Sequence, residues 1–182
     1  DLSCLEDIVL ERTERRISRA GFDSCSTVML PEGSVLLTSR APIGLVAIAG
    51  IRVCTNQGFK SFVCGKDINS WYLFAWLRIN AQYLNSLGRG ATFKEISQAI
   101  VRSIEIPVPE KSLQDCFANC LKDIRRTMSA KRATRDCLQR LFDSLLHRAF
   151  TGDLTAQWRQ AHMKELLEEM EEQAKVLEIR ML

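Results

Sequence analysis

The sequence predicts an α+β protein with a strand-rich N-terminal domain over residues 1–110, a long coiled-coil-type helix over 111–152 and a second, amphipathic C-terminal helix over 153–182. Three observations predict it. All four prolines and eight of the nine glycines fall before residue 111. Short apolar runs separated by turn residues fill that same stretch, which is the pattern of strands. From Ser112 onward the apolar residues recur at intervals of three and four, the period of a helix face. With 182 residues, 46% of them hydrophobic, the chain is long enough to bury a substantial core.

Ser34–Ser39 (SVLLTS) and Gly44–Ala49 (GLVAIA) read as strands on either side of the turn Arg40-Ala41-Pro42-Ile43. Their nearly unbroken apolar character suits strands covered on both faces. Phe59–Cys64 reads as a third strand after the polar loop Thr55-Asn56-Gln57-Gly58. A helix follows from Asn69 to Leu87, stopped at Gly88, with Trp71, Phe74, Ala75, Ile79 and Tyr83 at helical spacing as its core stripe. Ala91–Ser97 reads as a loop with a short helix. Ser103–Ile106 reads as a last strand, closed by Pro107 and Pro109, which cannot donate to a ladder.

Ser112 followed three residues later by Asp115 has the form of a capping box and opens the long helix. Phe117, Leu121, Ile124, Met128, Leu138, Leu141, Phe142 and Leu145 make its seam, interrupted by Lys131 and Arg135. Helical from Ser112 to Phe150, it measures roughly 55 Å, a length that suits a coiled coil. Gly152 ends it. Met163, Leu166, Met170, Ala174, Leu177 and Met181 then line one face of a second helix whose other side carries Glu168, Glu169, Glu171 and Glu172. That apolar face needs a partner, most simply the first helix or its copy in another chain.

A net charge of +3 permits a nucleic-acid partner only if the positive charge gathers on one face. Seven cysteines without a CxxC pair or a secretory leader read as reduced thiols in the cytoplasm, mostly small buried side chains. Cys116 and Cys120 stand four apart on the helix, with Cys137 and His147 beyond, but zinc ligands usually come in tighter pairs, so no metal site is assigned. No stretch approaches the ~20 apolar residues of a membrane span. The chain opens on Asp1 rather than methionine and reads as a fragment or a processed piece.

Enzyme signatures are missing from the sequence. No two prolines are adjacent, which removes the Asp/Asn-Pro-Pro-aromatic motif of base-methylating enzymes. Neither GxGxxG nor GxxxxGK[ST] occurs. His147 and His162, the only histidines, lie on helices without a nucleophile at telling spacing. No catalytic residue and no cofactor are expected.

Basic residues cluster on the long helix, where Lys122, Arg125, Arg126, Lys131, Arg132, Arg135, Arg140 and Arg148 outweigh Asp123, Asp136 and Asp143. Such a rod fits lying near phosphate, and equally a solvated coiled-coil flank. The N-terminal loops carry side chains that pair with base edges: Ser39 and Arg40; Asn56, Gln57 and Lys60; Arg89, Thr92 and Lys94. Asn56 and Gln57 serve as well as turn residues that satisfy the backbone.

Several stretches, in order, resemble the specificity (S) subunits of type I restriction-modification enzymes. They are Ile17-Ser18 with Gly21-Phe22, Leu30-Pro31-Glu32-Gly33 through Arg40-Ala41-Pro42-Ile43-Gly44, Thr55-Asn56-Gln57-Gly58-Phe59, Gly90-Ala91-Thr92 through Ile96, Ile104–Pro109, and Leu145–Leu154. The resemblance implies a target recognition domain over residues 1–110 that reads half of a split site in double-stranded DNA. It also implies a conserved spacer helix that pairs with its counterpart and docks methyltransferase subunits, which recruit the restriction subunit. A complete S subunit has two of each part and this chain one, so the resemblance implies a half-subunit, N-terminally incomplete, acting as a homodimer on an inverted repeat. The alternative is a dimeric helical scaffold or truncated remnant that binds the methyltransferase subunit without reading DNA.

Overall fold

The computed structural model describes Leu2, residues 7–90 and residues 94–180, with side chains through 177. It is an α+β arrangement in two compact units, Asp1–Thr127 and Met128–Leu182.

In the first unit, strand β1 (Val9–Leu10) is followed by the short helix α1 (Arg19–Asp23), strands β2 (Val35–Thr38), β3 (Val46–Ala49) and β4 (Phe59–Phe62), and helices α2 (Ser70–Ile79), α3 (Ala81–Ser86) and α4 (Gln98–Arg102). The sheet order is β1-β3-β2-β4. β1 runs parallel to β3, and β2 is antiparallel to both β3 and β4. All four residues of β2 and of β3 are buried. Alternate side chains serve two cores. Val35, Leu37, Val46 and Ile48 pack with Leu73, Phe74, Leu77, Leu84 and Ile96 on the helical side. Leu36, Ala47 and Ala49 meet Leu2, Leu30 and Val53 on the other. Cover on both faces explains the unbroken apolar runs. β4, at the sheet edge, is half-buried throughout.

The β2–β3 turn is locked from inside. Thr38 Oγ1 donates to the Pro42 carbonyl at 2.6 Å and accepts the Leu45 N–H at 3.0 Å. Gly44 has φ +97°, and a Cβ there would press on the backbone of Ala81 at 3.2 Å, so only glycine fits.

Several elements differ from expectation: the short helix expected by Ser97 lies at Gln98–Arg102, and the single helix expected over 153–182 is divided into a short turn and two helices. The helix foreseen over Asn69–Leu87 is two helices, because Asn80 leaves the helical backbone (ψ 18°) while its side-chain amide bonds the Trp76 carbonyl. Consequently Ile79 and Tyr83 are exposed, and Leu73, Leu77 and Leu84 supply the core beside Phe74 and Ala75. Ser103–Ile106 is not a strand. Its Ile104 and Ile106 pack on the core in strand-like alternation, but the described sheet offers it no ladder. Ser112 is not a cap: helix α5 (Lys111–Phe150) starts one residue earlier. The Glu110 carbonyl receives the N–H groups of Leu113 and Gln114, and Asp115 turns to Lys111 and Asn69.

The first turns of α5 pack into the first unit through Gln114 and Ala118, both buried, and half-buried Leu121. Compactness therefore runs on to Thr127, past the change in composition near residue 110. In the second unit, α5 ends on Gly152, whose φ of +78° closes the helix. A 3-10 turn (Asp153–Thr155), helix α6 (Ala156–Ala161) and helix α7 (Met163–Arg180) follow. Leu138, Leu141, Phe142 and Leu145 on α5, and Met163, Met170 and Leu177 on α7, are exposed in the single chain. Leu166 is half-buried, and Met181 lies outside the described residues. The thiols of Cys116, Cys120 and Cys137 are exposed, not buried as their apolar character suggested, because α5 turns those positions to solvent.

Candidate functional site

Three backbone segments meet where β2 ends and β4 begins. The Ser39 N–H donates to the Gly58 carbonyl at 2.8 Å, and the Ser39 carbonyl accepts the Ile96 N–H at 2.9 Å. Arg89 and Glu95 exchange both backbone bonds, at 2.9 and 3.0 Å, and Arg40 bridges Glu95 from the other side. The segments around residues 39–40, 58–60, 89–90 and 94–96 are thereby laced into one corner, and this brings together Arg40, Lys60, Arg89 and Lys94 from distant parts of the sequence.

At its centre is Glu95. Its Oε2 accepts Arg40 Nε at 3.0 Å, and its Oε1 stands 3.5 Å from Lys60 Nζ. Arg40 stays half exposed, whereas the Lys60 side chain keeps only 17% of its surface. Arg89 and Lys94 are exposed. Two cations against one carboxylate, with Arg89 and Lys94 exposed on the same paired backbone, give the corner a positive excess suited to an anionic ligand.

The other expected readers divide. Ser39 is fully buried and its hydroxyl has no hydrogen-bond partner among the described residues, so it is an interior residue beneath the corner and does not reach a ligand at the surface. Asn56 Oδ1 accepts the Gly58 N–H at 2.9 Å, the turn-forming role, while its residue stays exposed. Gln57 is exposed, and its side chain has no hydrogen-bond partner among the described residues. Thr92 lies outside the described residues. Glu95 was missed by sequence reasoning. Its signal was a lone acid among Arg89, Lys94 and Arg102, in a stretch scanned only for donors.

The basic row of α5 is less uniform than its sequence. Arg125 turns onto the first unit, where Nε lies 2.9 Å from both oxygens of Asp7 and Nη2 is 2.6 Å from Glu11 Oε1. Lys122 lies over the Trp71 ring at 5.9 Å. Arg126 pairs with Asp123 and Arg135 with Asp136. Phe117 meets Tyr72 edge-on at 6.2 Å, and Leu121 joins the core, so these two seam positions face the first unit. Ile124, Met128, Leu138, Phe142 and Leu145 remain exposed.

A recess of about 570 Å³ opens at the other end of the sheet, between Gly33, Cys64, Trp71, Lys111 and Lys122. Burial raises the Cys64 thiol above its ordinary pKa and keeps it protonated, the reverse of an activated nucleophile. Among the described residues no group of histidine, cysteine or acidic side chains is placed to hold a metal, and no helix is long and apolar enough to cross a membrane.

Comparison with known proteins bears on the corner and on α5 together. Residues 8–140 match the family model of the type I restriction modification DNA specificity domain. The specificity subunit of the type I restriction enzyme MjaIX of Methanocaldococcus jannaschii is 34% identical over 143 residues, 78% of this chain and 33% of that protein. The putative type I restriction enzyme MjaX specificity subunit of the same organism is 27% identical over 69% of this chain and 30% of its own length. The chain spans about a third of the length of these relatives. A solved structure concerned with complex assembly and conformational transition of the type I R-M system superposes with a TM-score of 0.53, at 26% identity, over 70% of this chain and 33% of that one.

Proposed function

The chain belongs to the type I restriction-modification DNA specificity family, and on that premise we propose that it is a non-catalytic, sequence-specific DNA-binding part that directs a type I restriction-modification complex to its target. Residues 1–110 are the reader, with Arg40, Gln57, Arg89 and Lys94 at the base edges and Asn56 and Lys60 shaping the loop beside them. Residues 111–152 are the spacer, and residues 153–182 a further helix for subunit contact. The observation that carries the reading is the convergence of Arg40, Lys60 and Arg89 on one corner inside the stretch that matches the family. Arginine and lysine at such a corner pair with guanine in the major groove, and a glutamine with adenine.

The spacer assignment is supported by α5 itself, 40 residues without proline or glycine. At ~1.5 Å per residue it measures about 60 Å, more than the ~34 Å of one DNA turn. The exposed stripe Met128, Leu138, Phe142 and Leu145 is the face on which a second copy pairs, which makes a homodimer that reads an inverted repeat. The methyltransferase subunit docks on the same helices and brings the restriction subunit. The assembly works in the cytoplasm.

Selection from a random duplex library with the full chain tests the reading. The expected outcome is an enriched sequence, bound with an affinity that falls about a thousandfold or more between roughly 50 and 200 mM salt. If no sequence is enriched over random duplex while the chain still captures a methyltransferase subunit, the scaffold reading replaces this one.

A further inference from the structure

The carboxylate of Glu95 is set in place by the protein's own backbone. Its N–H and C=O are both bonded to Arg89, and the next N–H is bonded to Ser39 beneath it. From that fixed position its two oxygens are divided between two cations, with Oε2 on Arg40 Nε and Oε1 toward Lys60 Nζ. A guanidinium held through Nε is gripped along one side of its plane. Its end edge, the two terminal amino groups, has no partner among the described residues. That edge is a pair of parallel donors, the geometry that matches O6 and N7 of guanine.

Resting on the DNA-reading role proposed above, we infer that Glu95 is a specificity-determining positioning residue: it holds the Arg40 guanidinium with its end edge outward for a single guanine, and it occupies Lys60 so that the ammonium does not compete for that base. Free of Glu95, Arg40 is a long flexible side chain that meets phosphate as readily as a base, and its ordering cost falls on the complex instead of on the folded protein. A carboxylate at a DNA surface also repels phosphate. Glu95 therefore acts with opposite signs on two observables: it raises discrimination and lowers affinity for arbitrary duplex. A side chain that merely fastened loops would move both in the same direction.

The test is selection and titration with the full chain, comparing wild type, Glu95→Gln, Arg40→Ala and Arg40→Lys. Wild type is expected to prefer guanine at one position by roughly 10- to 100-fold. Glu95→Gln is expected to lose most of that preference at that position alone, while it binds random duplex at least as tightly as wild type. Arg40→Lys, which keeps the charge and the pairing with Glu95 but has no fork, is expected to lose the same preference. The double variant Arg40→Ala, Glu95→Gln should be no less selective there than Arg40→Ala. If Glu95→Gln keeps the guanine preference, or loses it at every position together with affinity for random duplex, the inference is overturned while the reader role stands. If Glu95→Gln does not fold, as judged by circular dichroism, Arg40→Lys decides, and full guanine preference in that variant overturns the inference. If wild type enriches no sequence, the reader role fails and this inference fails with it.

Discussion

Gln114 and Asn69, 45 positions apart, are joined by a bond from the Asn69 N–H to the Gln114 side-chain oxygen at 2.9 Å, inside the unit where Gln114 is 1% exposed. The amide nitrogen of Gln114 donates to the carbonyls of Asp67 and Pro109 at 3.0 and 2.8 Å, so both of its donors and its acceptor are used. Asn69 in turn caps α2 through Trp71 N–H. One side chain thus ties the start of α5 to the start of α2. Gln114→Leu is expected to strand these backbone groups and to cost about 2 to 3 kcal/mol in urea unfolding. Gln114→Glu should cost more at neutral pH, because a carboxylate would face two carbonyl oxygens. An unchanged midpoint in both would contradict the assignment.

Asp115 sits beside that junction. Its carboxyl titrates below the ordinary aspartate range because Lys111 and then Asn69 bond to its charged form. The folded protein thus releases this proton at lower pH than the unfolded chain does, and in the interval between, the unfolded chain binds more protons. Stability from this group is complete above about pH 4 and is lost as the pH falls below it. Asp115→Asn should show a flatter decline in stability on acidification, read from melting temperatures across pH 2 to 6. A parallel decline in both proteins would count against it.

Arg125 anchors both flanks of β1 through Asp7 before it and Glu11 after it. Arg125→Met is expected to destabilise the protein by about 1 kcal/mol, with the difference shrinking as salt is added, because the side chains are only partly shielded. Urea titrations at low and high ionic strength measure both. An effect that does not change with salt would point to packing of the arginine stem instead.

At the corner, Arg40→Ala, Gln57→Ala and Arg89→Ala should each relax preference at a separate base by about 1 to 3 kcal/mol where a paired base contact is lost. Competition binding against single-base variants of the selected site reads this. If all three leave the site preference intact, these residues are not the readers.

Leu138→Asp or Leu145→Asp should convert the proposed dimer to a monomer in sedimentation, because each places a charge in the stripe proposed to pair with a second copy. Wild type that sediments as a monomer at every concentration would remove the pairing from the proposal.

The central strands were legible because burial on both faces leaves a run such as Val35-Leu36-Leu37 with no polar interruption. The length of α5 was legible from its period and from the absence of proline and glycine. What escaped depended on partners distant in sequence or on local side-chain competition that periodicity does not reveal. Ser103–Ile106 alternates like a strand, but a strand also needs a neighbour to bond, which alternation does not reveal. Asn80 has the residues of a helix on both sides, and only the competition of its own amide for the Trp76 carbonyl marks the break. Of the proposed readers, Arg40, Gln57, Arg89 and Lys94 are exposed, which is all that their polar loop setting predicts. Ser39 was misread because polarity was taken for exposure. Glu95 went unseen because a screen for positive charge passes over the acid that orders it.

The burial of β2 on both faces has a consequence for how such a protein changes over generations. Every side chain of the strand is buried, and Arg40 follows two residues beyond its end. The segments of the corner are held to one another by backbone bonds, which survive substitution of their side chains. New tips can be installed on an old frame, so a reader of the kind proposed here can take a different target word without refolding its domain.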